Sequence, residues 1–155
     1  MMVKLTRDIR AVVLISASSE AQRLGDRRTG THHLLMGLLS DASSLTCQLF
    51  GVDLETVRSA LTELDKAALS AVGIETAPLD RPRTMSGRRR PPFTSGARHA
   101  LHQAVVASRA DGSPQIEERH LLRAILSLER PDPARQLLDS LHIDLSDTLR
   151  RLEAG

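Results

Sequence analysis

Aromatic residues are nearly missing from this 155-residue chain: two phenylalanines, Phe50 and Phe93, and no tryptophan or tyrosine. That absence excludes a base-stacking platform for single-stranded nucleic acid. It also disfavours an all-β core, where aromatic and β-branched residues are enriched. Cysteine occurs once, at Cys47, so neither an intrachain disulfide nor a multi-cysteine metal cluster can form. Its neighbours Leu45 and Leu49 predict a small buried hydrophobe rather than a reactive thiol. No apolar run approaches the ~20 residues that span a bilayer, and the first residues lack the pattern of a signal peptide. A cytoplasmic protein is the expectation. The phosphate-binding Gly-x-x-x-x-Gly-Lys-Ser/Thr loop, Gly-x-Ser-x-Gly, His-Glu-x-x-His and any Cys–His pairing are all missing, so no catalytic residue, cofactor or metal site is expected.

What remains is 41% apolar and 26% charged, a globular composition with net charge +2. Leu, Val, Ile and Ala must supply the core, which suits closely packed helices. The order of these residues repeats. Leu5-Thr6-Arg7-Asp8-Ile9-Arg10 returns as Phe93-Thr94-Ser95-Gly96-Ala97-Arg98. His33-Leu34-Leu35 returns as His120-Leu121-Leu122, and Val52-Asp53-Leu54 as Ile143-Asp144-Leu145. The offset drifts from 88 to 87 to 91 residues, so small insertions separate two copies of one unit.

Each copy reads as four helices. In the first, Thr6 caps a helix with Ile9, Val12, Val13, Ala17 and Ala21 on one face. Thr31 caps a short helix burying Leu34, Leu35, Leu38 and Leu39. A third carries Leu45, Leu49 and Phe50 and stops at Gly51. Asp53 caps a fourth with Leu54, Val57, Leu61 and Leu64. In the second copy the stripes are Ala97, Ala100, Leu101, Ala104; then Leu121, Leu122, Ile125, Leu126; then Leu137, Leu138, Leu141; then Leu145, Leu149, Leu152. Between them lies a stretch with four prolines and five arginines against one acid, Asp80, which reads as a linker. The expected organisation is a first repeat over 1–70, a Pro/Arg-rich linker over 71–92 and a second repeat over 93–155. The fold class is all-α: two pseudo-symmetric four-helix repeats packed into one eight-helix unit.

His33 and His120 open a Leu-rich helix in both copies. A packing role, bonding a backbone carbonyl or capping a neighbouring helix, is favoured over catalysis or metal binding. His99 and His102 lie one turn apart but have no acidic or cysteine partner at fixed spacing, so zinc is not expected there.

Gly30-Thr31-His32-His33-Leu34-Leu35-Met36-Gly37-Leu38-Leu39, followed by Gly51-Val52-Asp53-Leu54-Glu55-Thr56-Val57-Arg58 and repeated in the second half after Pro92-Phe93-Thr94, resembles the Clp N-terminal-domain family. This is the substrate-receiving domain of ClpA- and ClpC-type AAA+ unfoldases, and the resemblance runs from about Met2 to Leu152. It implies a non-catalytic peptide- and protein-binding module: an adaptor, an accessory or a decoy. Its partners would be Clp unfoldase or protease components, their clients, or hydrophobic cyclic-peptide antibiotics that target ClpC. In ClpC-type members an acidic residue in each Gly-Thr-Glu-His segment helps recognise phosphorylated arginine. Here those positions are His32 and Arg119, which cannot pair a guanidinium. Glu117 and Glu118 flank the second position but would point elsewhere. The family's cyclic-peptide surface maps onto Met2, Leu5, Thr6, Arg10, Phe93, Thr94 and Arg98. Hydrophobic staples at Leu5 and Phe93 are the plainer reading of the same residues. The alternative function is a small basic nucleic-acid-associated regulator, leaning on Arg27, Arg28 and the arginines of 81–90.

Overall fold

A computed structural model describes residues 4–5, 7–74 and 90–155. Met2, Thr6 and most of the Pro/Arg-rich stretch therefore lie outside the described residues. Two-residue strands apart, the regular elements are helical. Strand β1 (Lys4–Leu5) leads into α1 (Arg7–Ala11), a π-helical segment (Val12–Ser16) and α2 (Ala17–Leu24), which follow one another without a break. Then come α3 (Thr31–Leu38), α4 (Leu45–Phe50) and α5 (Leu54–Ala71). The second half holds α6 (Ser95–Ala110), β2 (Gln115–Ile116), α7 (Glu118–Leu126), α8 (Pro133–Ser140) and α9 (Leu145–Ala154).

The stops and starts follow local chemistry. Gly25 and Gly51 end α2 and α4 with φ of 73° and 68°, a left-handed turn that a Cβ would oppose. Asp53, Thr94, Asp132 and Asp144 each accept a backbone N–H at the N-terminus of their helix. Pro133 takes the first position of α8, where a missing N–H is harmless. One expected cap differs. Gly30, not Thr31, precedes α3, and Thr31 is already its first helical residue. The Thr31 hydroxyl instead donates to Asp132 Oδ1 at 2.7 Å and accepts the Ala134 N–H at 3.3 Å, tying the first half to the second.

The expected stripes form the core. Ile9, Val13, Ala17, Leu34, Leu35, Leu38 and Leu39 are buried, and so are Ala97, Ala100, Ala104, Leu121, Leu122, Ile125, Leu137 and Leu138. They make one cluster across both copies. α3 packs on α6, α7 and α8, while α4 packs on α7 and α9. Cys47 is half-buried rather than fully buried, its Sγ 3.6 Å from the Leu39 carbonyl.

The copies are laced by an exchange of extended segments. Lys4 and Leu5, which precede the first helix of copy one, pair in parallel with Gln115 and Ile116, which precede the second helix of copy two. Reciprocally, Phe93, which precedes the first helix of copy two, bridges Thr29, which precedes the second helix of copy one. Each repeat thus completes the other at equivalent positions. The fully buried Thr29 fixes this second crossing: its N–H donates to Pro92 O at 2.8 Å, its hydroxyl to Pro91 O at 3.1 Å, and Thr94 N–H donates to Thr29 O at 3.0 Å.

Candidate binding surfaces

At each crossing the chain enters a helix whose third residue is a buried histidine. His33 Nδ1 accepts the Gly30 N–H at 2.8 Å, and its Nε2 lies 2.8 Å from Asp26 Oδ2. His120 Nδ1 accepts the Glu117 N–H at 2.9 Å, and its Nε2 lies 3.1 Å from Asp111 Oδ2. Since Nδ1 accepts, the ring proton sits on Nε2 and points at the carboxylate. The histidines therefore pack, as expected, though by a different bond. Each takes up an orphan amide at the start of its own helix, and the outer nitrogen is held by an acid from the preceding turn.

Asp26, His32 and His33 together bring three potential metal-ligand atoms within 4.8 Å of one another. Proximity suggests an ion, but the proton count opposes it. An ion on His33 Nε2 would displace the last ring proton while Nδ1 still accepts from Gly30, leaving an imidazolate. Metal-bound histidines ordinarily keep an N–H on the far nitrogen. The same His–Asp–amide arrangement at His120 marks it as a capping device of the repeat. His99 and His102 are both exposed on α6.

The two family phosphoarginine positions have opposite surroundings. His32 lies against His33, ring centroids 3.9 Å apart, and its Nδ1 is buried without a hydrogen-bond partner. Burial, reinforced by the neighbouring His33, pushes its pKa down to about 4. At neutral pH it presents an uncharged ring. Arg119 is exposed, with Nε 3.0 Å from Glu117 Oε2. Both flanking acids are already engaged. Glu117 is engaged by Arg119, and Glu118 Oε1 accepts both the N–H and the hydroxyl of Thr46, at 2.9 and 2.7 Å, capping α4 of the other repeat.

The residues expected to form a cyclic-peptide surface divide between the two crossings. Leu5 sits in β1 opposite Ile116, and Arg10 is exposed on α1. Phe93 packs half-buried on the core beside Thr29, and Arg98 is exposed one turn into α6. The Thr94 hydroxyl oxygen caps α6 by accepting the Ala97 N–H at 3.1 Å, so its first duty is structural. Arg27, Arg28 and Arg90, all exposed, flank the Thr29–Phe93 crossing.

A further feature escaped the sequence. Between α7 and α9 an open cavity of about 140 Å³ is lined by Asp111, Arg119, His120, Arg123, Leu152 and Glu153. Only the placement of α9 across α7 gathers these residues, which are over 40 positions apart along the chain at their extremes.

The Clp repeat N-terminal domain model matches residues 4–80 and 92–154. A chaperone of rice, ClpD2, chloroplastic, is 30% identical over 146 residues, covering 94% of this chain and 14% of that protein. A ClpA homolog of Porphyra purpurea, an ATP-binding subunit of the ATP-dependent Clp protease, is 25% identical over 134 residues, or 86% of this chain and 15% of that protein. The chain thus spans about a seventh of the length of these curated relatives. The N-terminal domain of the Arabidopsis thaliana chaperone ClpD superposes with a TM-score of 0.73 at 20% identity, over 99% of this chain and 96% of that one.

Proposed function

The chain belongs to the Clp repeat N-terminal domain family, and from that premise we propose that it is a non-catalytic peptide- and protein-binding module of the Clp protease system. Both repeats match the family, and the fold is that of a Clp N domain. The observation that carries the binding reading is the Thr29–Phe93 crossing. It holds the second phenylalanine half-exposed, and the exposed arginines at 28, 90 and 98 lie close to the crossing along the chain. An apolar anchor rimmed by donors suits a peptide with an apolar side chain and backbone carbonyls to satisfy.

On this reading the module serves as adaptor, accessory or decoy. Its ligands are Clp unfoldase or protease components, their clients, or apolar cyclic peptides. Phosphoarginine recognition is lost, because His32 is uncharged and Arg119 repels a guanidinium. No described helix is long and apolar enough to cross a membrane. The cytoplasm is the compartment we propose; the rice relative's name places that protein in the chloroplast, and a plastid setting would leave the binding argument unchanged.

The arginines at 27, 28 and 90 beside one crossing support the nucleic-acid alternative. A pull-down from lysate with the intact chain separates the two. Co-purifying Clp subunits or unfolded clients are the expected result. Recovery of nucleic acid alone, released steeply by salt, would replace this reading by the alternative.

A further inference from the structure

Offset by 87 residues, Arg119 and Arg123 of α7 correspond to His32 and Met36 of α3. In the first repeat these positions are closed: Met36 is fully buried and His32 is largely covered. In the second both are arginines at the mouth of the cavity between α7 and α9, with 43% and 35% of their side chains exposed. One turn apart on one helix face, two like charges repel unless something anionic lies between them.

The acids present do not fully satisfy them. Glu117 takes Arg119 Nε at 3.0 Å, with no bond from the forked Nη pair among the described residues. Arg123 Nη2 donates a long hydrogen bond to Glu153 Oε1 at 3.4 Å, and its Nη1 lies 3.8 Å from Asp111 Oδ1 in a looser ion pair. Asp111 is held instead by His120, at 3.1 Å. Buried Leu152 is the apolar part of the lining. Two guanidinium groups with unused donors over a small cavity match a planar carboxylate.

We infer that the cavity between α7 and α9 is a carboxylate-binding subsite in which Arg119 and Arg123 together grip one carboxylate of a bound peptide. This deepens the peptide-binding reading and rests on it. The carboxylate comes from an acidic side chain or from the chain's C-terminus, and the Asp111 and Glu153 carboxylates restrict the site to ligands whose anion enters between the two arginines.

The test is a heteronuclear NMR titration of the intact chain with two probes. One is acetyl-(Gly-Glu)4-amide; the other is acetyl-(Gly-Ser)4 with a free C-terminus; acetyl-(Gly-Gln)4-amide is the control. Saturable shifts at Arg119–Arg123 and Leu152–Glu153 with either probe, and none with the control, are expected. R119Q and R123Q should each weaken binding by about tenfold, as loss of one charge-assisted pair implies, while R150Q, at an exposed arginine of α9 outside the cavity lining, should not. The probe that binds identifies the carboxylate's source. No shift at α7 with either probe, or affinity unchanged in R119Q and R123Q, overturns the inference. Failure of the peptide-binding reading is read separately, as no shift over 91–98 when an apolar cyclic peptide is added.

Discussion

His33 and His120 show how a repeated residue takes its meaning from packing. Each satisfies a buried amide that the helix start leaves without an intrahelical partner. Truncation leaves that donor unsatisfied and opens a gap in the core, so His33→Ala or His120→Ala should lower stability by about 2–4 kcal/mol in urea unfolding. A loss below ~0.5 kcal/mol would contradict the capping account. His32 behaves differently, because burial without a partner disfavours its charged form. Its folded pKa of about 4 lies below the ordinary value of 6.5, so between these values the unfolded chain binds more protons than the folded one. Stability is then complete above pH 6.5 and is lost as pH falls toward 4. Replacing His32 by Gln should flatten stability measured between pH 6.5 and 4. Glu20, which burial pushes up but bonds from Arg58 and Arg23 pull below its ordinary 4.5, adds acid sensitivity as pH falls through that value, so the loss at higher pH belongs to His32.

Among the elements, the first helix departs most from its counterpart. Copy one carries one residue more than copy two between the Leu5/Phe93 and His33/His120 anchors. Its first helix contains a π-helical segment, where Ala17 N–H donates to Val12 O five residues back. Such a segment takes up an added residue without ending the helix. The widened turn meets α3 at Gly37. A Cβ there would lie 3.1 Å from Val12 O and 3.2 Å from Ala17 N, both backbone atoms that cannot swing aside. Copy two has Ala124 at the matching position and an uninterrupted α6. Gly37→Ala should therefore destabilise by about 1–3 kcal/mol, an overpacking effect, measured as a fall in urea midpoint. A neutral or stabilising result would show that α3 does not approach this closely. Periodicity gave most of the buried helix faces, because burial on one face is a one-dimensional signal, though it left out Met36, Ala124 and Ala134. It could not reveal the π-helical segment or the exchange of β1 and the Phe93 segment between repeats. The exchange depends on which backbone groups face one another across the two copies, and the π-helical segment on where within the first helix the added residue is taken up.

Across the whole molecule, the interlocked repeats share one core. The family, the all-α fold and the helix order were legible because the pattern occurs twice in register. The candidate site was legible only in part. The loss of acids at His32 and Arg119 is visible residue by residue, and Phe93 stands out as one of two aromatics. The engagement of Glu118 with Thr46 and the cavity between α7 and α9 arise from tertiary placement and had no local signal. The central claim is that an intact Clp-repeat body binds protein ligands through the Phe93 seam. Calorimetric titration of the purified chain with an apolar cyclic peptide and with a purified ClpC-type unfoldase, alongside Phe93→Ala, tests it most directly. Saturable binding of at least one ligand, weakened about tenfold or more by the loss of a buried aromatic anchor, is the predicted result. Binding of neither, or equal binding by Phe93→Ala, would contradict it.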